Sequence, residues 1–243
     1  MTPLLSVTDV SKSFGGVRAL DGCSLDVDEG TITALIGPNG SGKTTLFNVI
    51  TGYLKADTGT FSFAGADIAR FDAGRLYRLG LSRTFQQARV FAHLTVQENL
   101  VVAGGYRWRQ LFTQRVSKAD RQRAGELLDE FRLAPVADLL ASELSYGQRK
   151  LLEFAAVLMS EPRLVLLDEP TAGVNPVLIE TMERHIRERH AAGITFLVVE
   201  HDMNFVMRLC DPVVVIDRGS QIFSGHPAEV QVNPLVLDAY LGS

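Results

Sequence analysis

One run of residues limits this chain more than any other. Gly37-Pro38-Asn39-Gly40-Ser41-Gly42-Lys43-Thr44 fits the pattern G-x-x-x-x-G-K-[ST]. The apolar, β-rich stretch Thr31 to Ile36 precedes it. A helical pattern, Lys43 to Ile50, follows and closes at Thr51-Gly52. A strand, a glycine-dense loop and a helix in this order let the backbone wrap a phosphate group. Glycines permit close approach, and the loop N–H groups converge on the oxygens. The helix N-terminus adds partial positive charge. Lys43 supplies a full charge for the β- and γ-phosphates, and the Thr44 hydroxyl is a hard oxygen suited to Mg²⁺. With this chain's own residue frequencies, the pattern arises by chance in about one chain in two hundred. Nucleotide binding is therefore expected, through residues Gly37, Pro38, Asn39, Gly40, Ser41, Gly42, Lys43, Thr44 and the adjacent Thr45.

The remaining composition narrows the class. The chain has 243 residues, 46% hydrophobic and 21% charged, which suits a folded globular protein with one sizeable core. Its net charge of −4 counts against a nucleic-acid partner. The longest stretch free of Asp, Glu, Lys and Arg runs from Gly30 to Gly42, too short and too glycine-rich for a membrane span. Met1 to Val10 shows no secretory pattern. Cys23 and Cys210 form neither a disulfide framework nor a zinc cluster, and read as two thiols in a reducing cytosol.

The chain's patterning predicts three zones. Strands are expected at Leu4 to Val10, Val17 to Val27 and Thr31 to Ile36, with an exposed-edged antiparallel strand over Gly59 to Gly65. Helices are expected at Val96 to Val102, Lys118 to Phe131 and Ser145 to Met159. In the second, Ala124, Leu127, Leu128 and Phe131 share one face. The runs Leu164 to Leu167, Ile194 to Val199 and Val213 to Ile216 are almost wholly apolar, as in central parallel strands covered on both faces. Helices Pro176 to His190 and Met203 to Cys210 separate them.

Leu164-Val165-Leu166-Leu167 ends in Asp168 and Glu169. Side chains alternate along a strand, so adjacent acids at its end point different ways. One can hold Mg²⁺ and the other can polarise a water. Asp168 is assigned to the metal and Glu169 to the general base. Alone, the pair reads as a strand ending in a solvated turn before Pro170. The phosphate loop shifts the balance toward chemistry.

Leu144-Ser145-Tyr146-Gly147-Gln148 opens a helix just before that strand. It resembles the signature of ATP-binding-cassette ATPases, usually written Leu-Ser-Gly-Gly-Gln. Phosphate loop, signature and acidic pair stand in that family's order, and the resemblance covers essentially the whole chain. It implies an α/β fold: a P-loop NTPase core with a parallel sheet, an N-terminal antiparallel β arm and an inserted α-helical subdomain over roughly residues 87–160. All of this forms one ATP-binding domain. Residues Ser145, Gly147 and Gln148 are implied to contact ATP. Phe14 stands where the family stacks an aromatic on adenine, worth about 1–3 kcal/mol; by itself it reads equally as a strand-edge residue. Thr84-Phe85-Gln86 resembles the Gln loop, which assigns Gln86, with Gln87 beside it, to Mg²⁺ and the attacking water. His201 resembles the switch histidine, touching the γ-phosphate or orienting the base. His93, His185, His190 and His226 match no motif and are expected at the surface or in packing.

Tyr146 replaces a glycine of the general signature, so its ring must point away from phosphate. Asn175 stands where many members carry Asp. These departures narrow the branch. So do Arg83-Thr84-Phe85-Gln86, Leu94-Thr95-Val96-Gln97-Glu98-Asn99-Leu100, Glu200-His201-Asp202-Met203 and the tail from Asn233-Pro234 to Tyr240-Leu241-Gly242. Together they resemble the ATP-binding subunit of branched-chain amino-acid importers. Members serving urea and short amides, and the lipopolysaccharide-export subunit, are also similar.

The resemblance implies a head-to-tail sandwich of two cassettes around two ATP molecules. Separate transmembrane permease subunits would dock near Ala88 to Leu100, served by an external substrate-binding protein. Two other classes are weighed against it. Soluble cassette ATPases of DNA repair or translation commonly carry two cassettes or a long coiled coil, and neither pattern is present here. A nucleotide-binding regulator without turnover would need neither Glu169 nor His201.

Overall fold

The computed structural model describes residues 3–85, 88–105 and 117–241. The arm at the front pairs β1 (Leu5–Phe14), β2 (Val17–Val27), β4 (Thr58–Phe63) and β5 (Ala66–Asp67) in the order β2-β1-β4-β5. Register shifts between Val7 and Ser13 keep β1 paired well beyond Val10, so the strand outruns its apolar pattern. The expected exposed edge at Gly59 to Gly65 is corrected. β4 lies between β1 and β5, and Phe61 and Phe63 are buried.

The main sheet has the order β10-β9-β3-β8-β7-β6. β3 (Ile32–Ile36), β6 (Leu81–Arg83), β7 (Leu164–Asp168), β8 (Thr195–Val199) and β9 (Val213–Asp217) pair in parallel, and β10 (Ser220–Gly225) closes one edge antiparallel. Alternation along each apolar run divides it between two layers. Val165, Leu167, Phe196 and Val198 face one core, shared with α3 (Val96–Ala103), α4 (Lys118–Glu130), α5 (Tyr146–Leu158), α6 (Pro176–Ala191) and α7 (Met203–Leu209). Leu164, Leu166, Leu197 and Val199 face the other, shared with the β arm and with α1 (Lys43–Ile50). Strands covered on both faces explain the unbroken apolar runs.

This layering seats α1. Leu46 and Phe47 are fully buried against the sheet, each burial stabilising by about 1.5–3 kcal/mol. The helix that follows the phosphate loop is therefore anchored from below. α3, α4 and α5 lie between β6 and β7 in chain order. The short β5, α2 (Ala73–Arg78), β6, β10, α8 (Pro227–Val232) and α9 (Pro234–Leu241) are additions to the sequence reading. Each is too short for its own periodicity to stand out. No helix among the described residues is long and apolar enough to cross a membrane.

Candidate functional site

Parallel register brings three loops to one edge of the sheet. Leu35 of β3 and Asp168 of β7 both pair with Val199 of β8. The phosphate loop, the acidic pair and the Glu200-His201 segment thus leave the carboxyl ends of neighbouring strands, where open α/β sheets bind ligands.

The phosphate loop tolerates no side chain at two of its glycines. A Cβ on Gly37 (φ +154°) would lie 2.0 Å from the Ile216 carbonyl oxygen. One on Gly42 (φ +105°) would lie 2.5 Å from that of Ala19. Gly42 caps α1 without a side-chain hydrogen bond, so the cap residue offers no acceptor that competes with an anion for the first-turn N–H groups. The buried Lys43 ammonium turns back on the loop, donating to the carbonyls of Gly37 at 2.7 Å and Pro38 at 2.9 Å. Burial lowers its pKa, while the Glu169 carboxylate acts in the opposite sense. Ser41 is buried, Asn39, Gly40 and Thr44 are exposed, and Thr45 is half-buried. The C-terminal helix α9 reaches the same loop, where the Gly37 N–H donates to the hydroxyl of Tyr240, a residue 39% exposed.

Glu169 sits at φ +47°, a left-handed conformation that costs a residue bearing a Cβ about 1 kcal/mol or more. Its N–H donates to the Val199 carbonyl at 2.9 Å. Its Oε1 lies 2.9 Å from His201 Nε2. An ionised carboxylate only accepts, so Nε2 carries the proton in this contact. The two residues assigned to base and switch from the sequence therefore meet. Asp168 is buried and paired with Arg83, Nη2 to Oδ2 at 2.7 Å, both side chains 6% exposed. Arg83 also donates to Asn48 Oδ1 (2.7 Å) and Thr51 Oγ1 (3.1 Å) on and beside α1. One guanidinium thus ties the helix of the phosphate loop to the acidic pair. Sequence reasoning missed this role. The available signal was a cation at the end of a short strand, beside the Thr84-Phe85 pair.

Phe14 ends β1 with its ring 46% exposed and the Lys12 ammonium 5.6 Å from its centre, a face open to stacking. Gln86 and Gln87 lie outside the described residues. Their neighbours are anchored, since Phe85 and Arg89 donate backbone N–H groups to Glu153 Oε1 on α5 at 3.0 and 3.2 Å. Burial raises the Glu153 pKa, and those two hydrogen bonds oppose it. Sequence reasoning passed over this acid, which is buried on the helix together with Lys150 among apolar residues.

In the signature segment, Ser145 and Gln148 hold each other in a capping box, Gln148 N–H to Ser145 Oγ at 3.3 Å and Ser145 N–H to Gln148 Oε1 at 2.9 Å. At Gly147 a Cβ would come within 2.8 Å of Leu178 Cδ2, so a larger residue here would have to push the end of that side chain on α6 aside. The Tyr146 hydroxyl donates to the Ala172 carbonyl at 3.1 Å, which turns the ring toward the loop after Glu169. Asn175 caps α6, accepting from the Leu178 N–H at 2.9 Å.

Both cysteines and the His185 cluster are packing groups away from this edge. Burial pushes the Cys23 thiol up to about 11 and the Cys210 thiol up to about 12. Glu130, His185 and Glu188 cluster on another face. Arg189 already holds Glu130, and Arg184 holds Glu188. Burial lowers the His185 pKa, and its ring stacks on Phe131 at 4.2 Å, as a packing histidine does.

Comparison with known proteins agrees with this geometry. The ABC transporter family model matches residues 20–172. A second, for the branched-chain amino acid ATP-binding cassette transporter, matches residues 220–243. The chain is 39% identical to the probable branched-chain amino acid transport ATP-binding protein LivG of Methanocaldococcus jannaschii, over 98% of this chain and 97% of that one. It is 37% identical to the high-affinity branched-chain amino acid transport ATP-binding protein BraF of Pseudomonas aeruginosa, over 99% and 98%. A crystal structure of the ADP conformation of an ABC transporter cassette superposes with a TM-score of 0.88 at 37% identity, covering 100% of both chains. A nucleotide-free cassette gives 0.88 at 37% identity over 99% of each. The chain belongs to the ATP-binding proteins of ABC transporters, in the branched-chain amino acid family, and is an ATPase of that kind.

Proposed function

We propose that this chain hydrolyses ATP at the sheet edge described above and so energises uptake of branched-chain amino acids through separate permease subunits. The observation that carries the hydrolytic part is the 2.9 Å contact of His201 with Glu169, on the strand edge that bears the phosphate loop. The near full-length likeness to LivG and BraF supports the cargo.

Phe14 stacks on adenine, and residues 37–45 hold the phosphates. Lys43 turns its ammonium from the Gly37 and Pro38 carbonyls to the β- and γ-phosphates. Glu169 takes the proton of the attacking water, and His201 keeps the carboxylate aimed. Hard oxygens of Thr44 and Asp168, with Gln86, suit Mg²⁺, which when bound neutralises phosphate charge and polarises the γ-phosphoryl group. Arg83 engages Asp168 Oδ2 and so fixes the carboxylate that would help hold the ion. Ser145, Gly147 and Gln148 face the ATP of a second cassette, so ATP joins the two chains and hydrolysis releases them. The permease subunits hold this pair at the cytoplasmic face of the membrane.

Lys43→Ala tests binding and cargo together. Loss of a charge-assisted contact worth about 1.5–3 kcal/mol weakens ATP binding by about 10–100-fold in a calorimetric titration. Cells whose own gene is replaced by this variant, at equal expression, lose labelled leucine uptake. Weakened ATP binding with unchanged leucine uptake would move the cargo to another solute.

A further inference from the structure

Glu200 has no part in the roles assigned so far, yet it is a deeply buried acid at the site. It follows the apolar run of β8 and is 2% exposed. Among the described residues no cation lies within salt-bridge distance of it, and the Lys150 ammonium acts on it only through space. A buried carboxylate with no cation in direct contact persists only where hydrogen-bond donors replace its water. Glu200 has three, all backbone. Oε1 accepts from the Thr171 N–H at 2.8 Å, and Oε2 from the N–H groups of His201 at 2.9 Å and Asp202 at 3.2 Å.

The donors belong to two different loops. Thr171 lies two residues beyond Glu169, after β7. His201 and Asp202 leave β8. The tips of these loops are the two side chains that meet at 2.9 Å. His201 is 42% exposed, so packing restrains its ring little. Glu169 occupies a left-handed conformation that needs outside support. We propose that Glu200 is a positioning residue for ATP hydrolysis: its buried carboxylate clamps the loop after Glu169 to the backbone of His201 and so sets the contact between those two side chains. This rests on the roles given to Glu169 and His201 above.

The chemistry specifies the acid. A carboxylate is acceptor-only and can take N–H groups on both oxygens. An amide of the same shape turns an NH₂ toward donors on one side and leaves a backbone N–H unsatisfied. Aspartate keeps the charge but is one methylene shorter and cannot span both loops. Among the described residues no hydrogen bond or ion pair joins Glu200 to the phosphate loop, so ATP binding is not expected to follow its loss.

The test uses the full-length chain and steady-state ATP hydrolysis. Glu200→Gln lowers kcat about tenfold or more and leaves KM for ATP within about twofold, because misplacement by about 1 Å is enough to cost this much. In a His201→Ala background, Glu200→Gln changes kcat by less than about twofold, since the clamp acts through the histidine. Losses that multiply in the double variant overturn the proposal, as does native kcat in Glu200→Gln when His201→Ala is crippled. Full turnover in His201→Ala instead overturns the reading of His201 on which the clamp rests. Hydrogen exchange on the native chain needs no variant and covers the case in which Glu200→Gln does not fold. The Thr171 and His201 amides exchange slowly, and fast exchange of either one overturns the clamp.

Discussion

Glu169→Gln binds ATP with near-native strength and hydrolyses it about 10²–10⁴-fold more slowly, the range that a positioned general base supplies. The substitution keeps the shape of the side chain and the acceptor that faces His201 Nε2 at 2.9 Å. It also keeps the backbone at φ +47° and the N–H bond to Val199. The negative charge and the capacity to take a proton are removed. Binding depends instead on the phosphate loop, where Lys43 and the α1 N-terminus are untouched. Because ATP persists, two chains stay joined across it. Calorimetry gives the affinity, phosphate release gives the rate, and light scattering with ATP shows a mass near twice that of the monomer. Turnover within threefold of native would remove Glu169 from the base role.

Arg83→Met has the largest expected effect on stability. The arginine and Asp168 are both 6% exposed and 2.7 Å apart. Removing one partner of such a pair leaves the other charge buried and uncompensated, at a cost of about 3–5 kcal/mol. The variant also abandons the acceptors on Asn48 and Thr51, and the contact of the guanidinium with the Phe85 ring at 4.8 Å. For a chain of this size the thermal midpoint falls by about 10 °C. Asp168→Asn placed on top of Arg83→Met removes the stranded charge and restores part of the loss. A midpoint within about 2 °C of native in Arg83→Met would show that the pair contributes little. No recovery in the double variant would place the cost elsewhere, in lost packing of the guanidinium.

These two results separate what each half of the site does. Glu169 is the proposed base, on a left-handed turn, and its loss is read in rate. Arg83 joins the phosphate-loop helix to Asp168, and its loss is read in stability. Glu200 stands between them, a buried acid whose loss is read in rate without loss of binding.

Local chemistry made much of this legible in advance. The phosphate loop needs glycines, a lysine and a hydroxyl in consecutive order, so its composition alone announces it. The central strands announce themselves because both faces are buried and no charged residue interrupts their almost wholly apolar runs. The helix Lys43 to Ile50 appears with the expected bounds for the same reason, since one loop and one apolar face define it.

What the chain's order of residues determined, then, is the set of reactive groups and the strands and helices that carry them. Asp168, Glu169 and His201 each follow an apolar run, and that local pattern suffices to place them at strand ends. The tertiary structure alone decided how those ends are joined. Arg83 reaches a carboxylate 85 residues away, Glu200 accepts from Thr171 29 residues before it, and Glu153 holds Phe85 from 68 residues beyond. The physical reason is that a buried charge has no periodicity of its own. Its place is set by whichever donors parallel pairing brings within about 3 Å, and no local pattern encodes that register between strands so far apart in the chain.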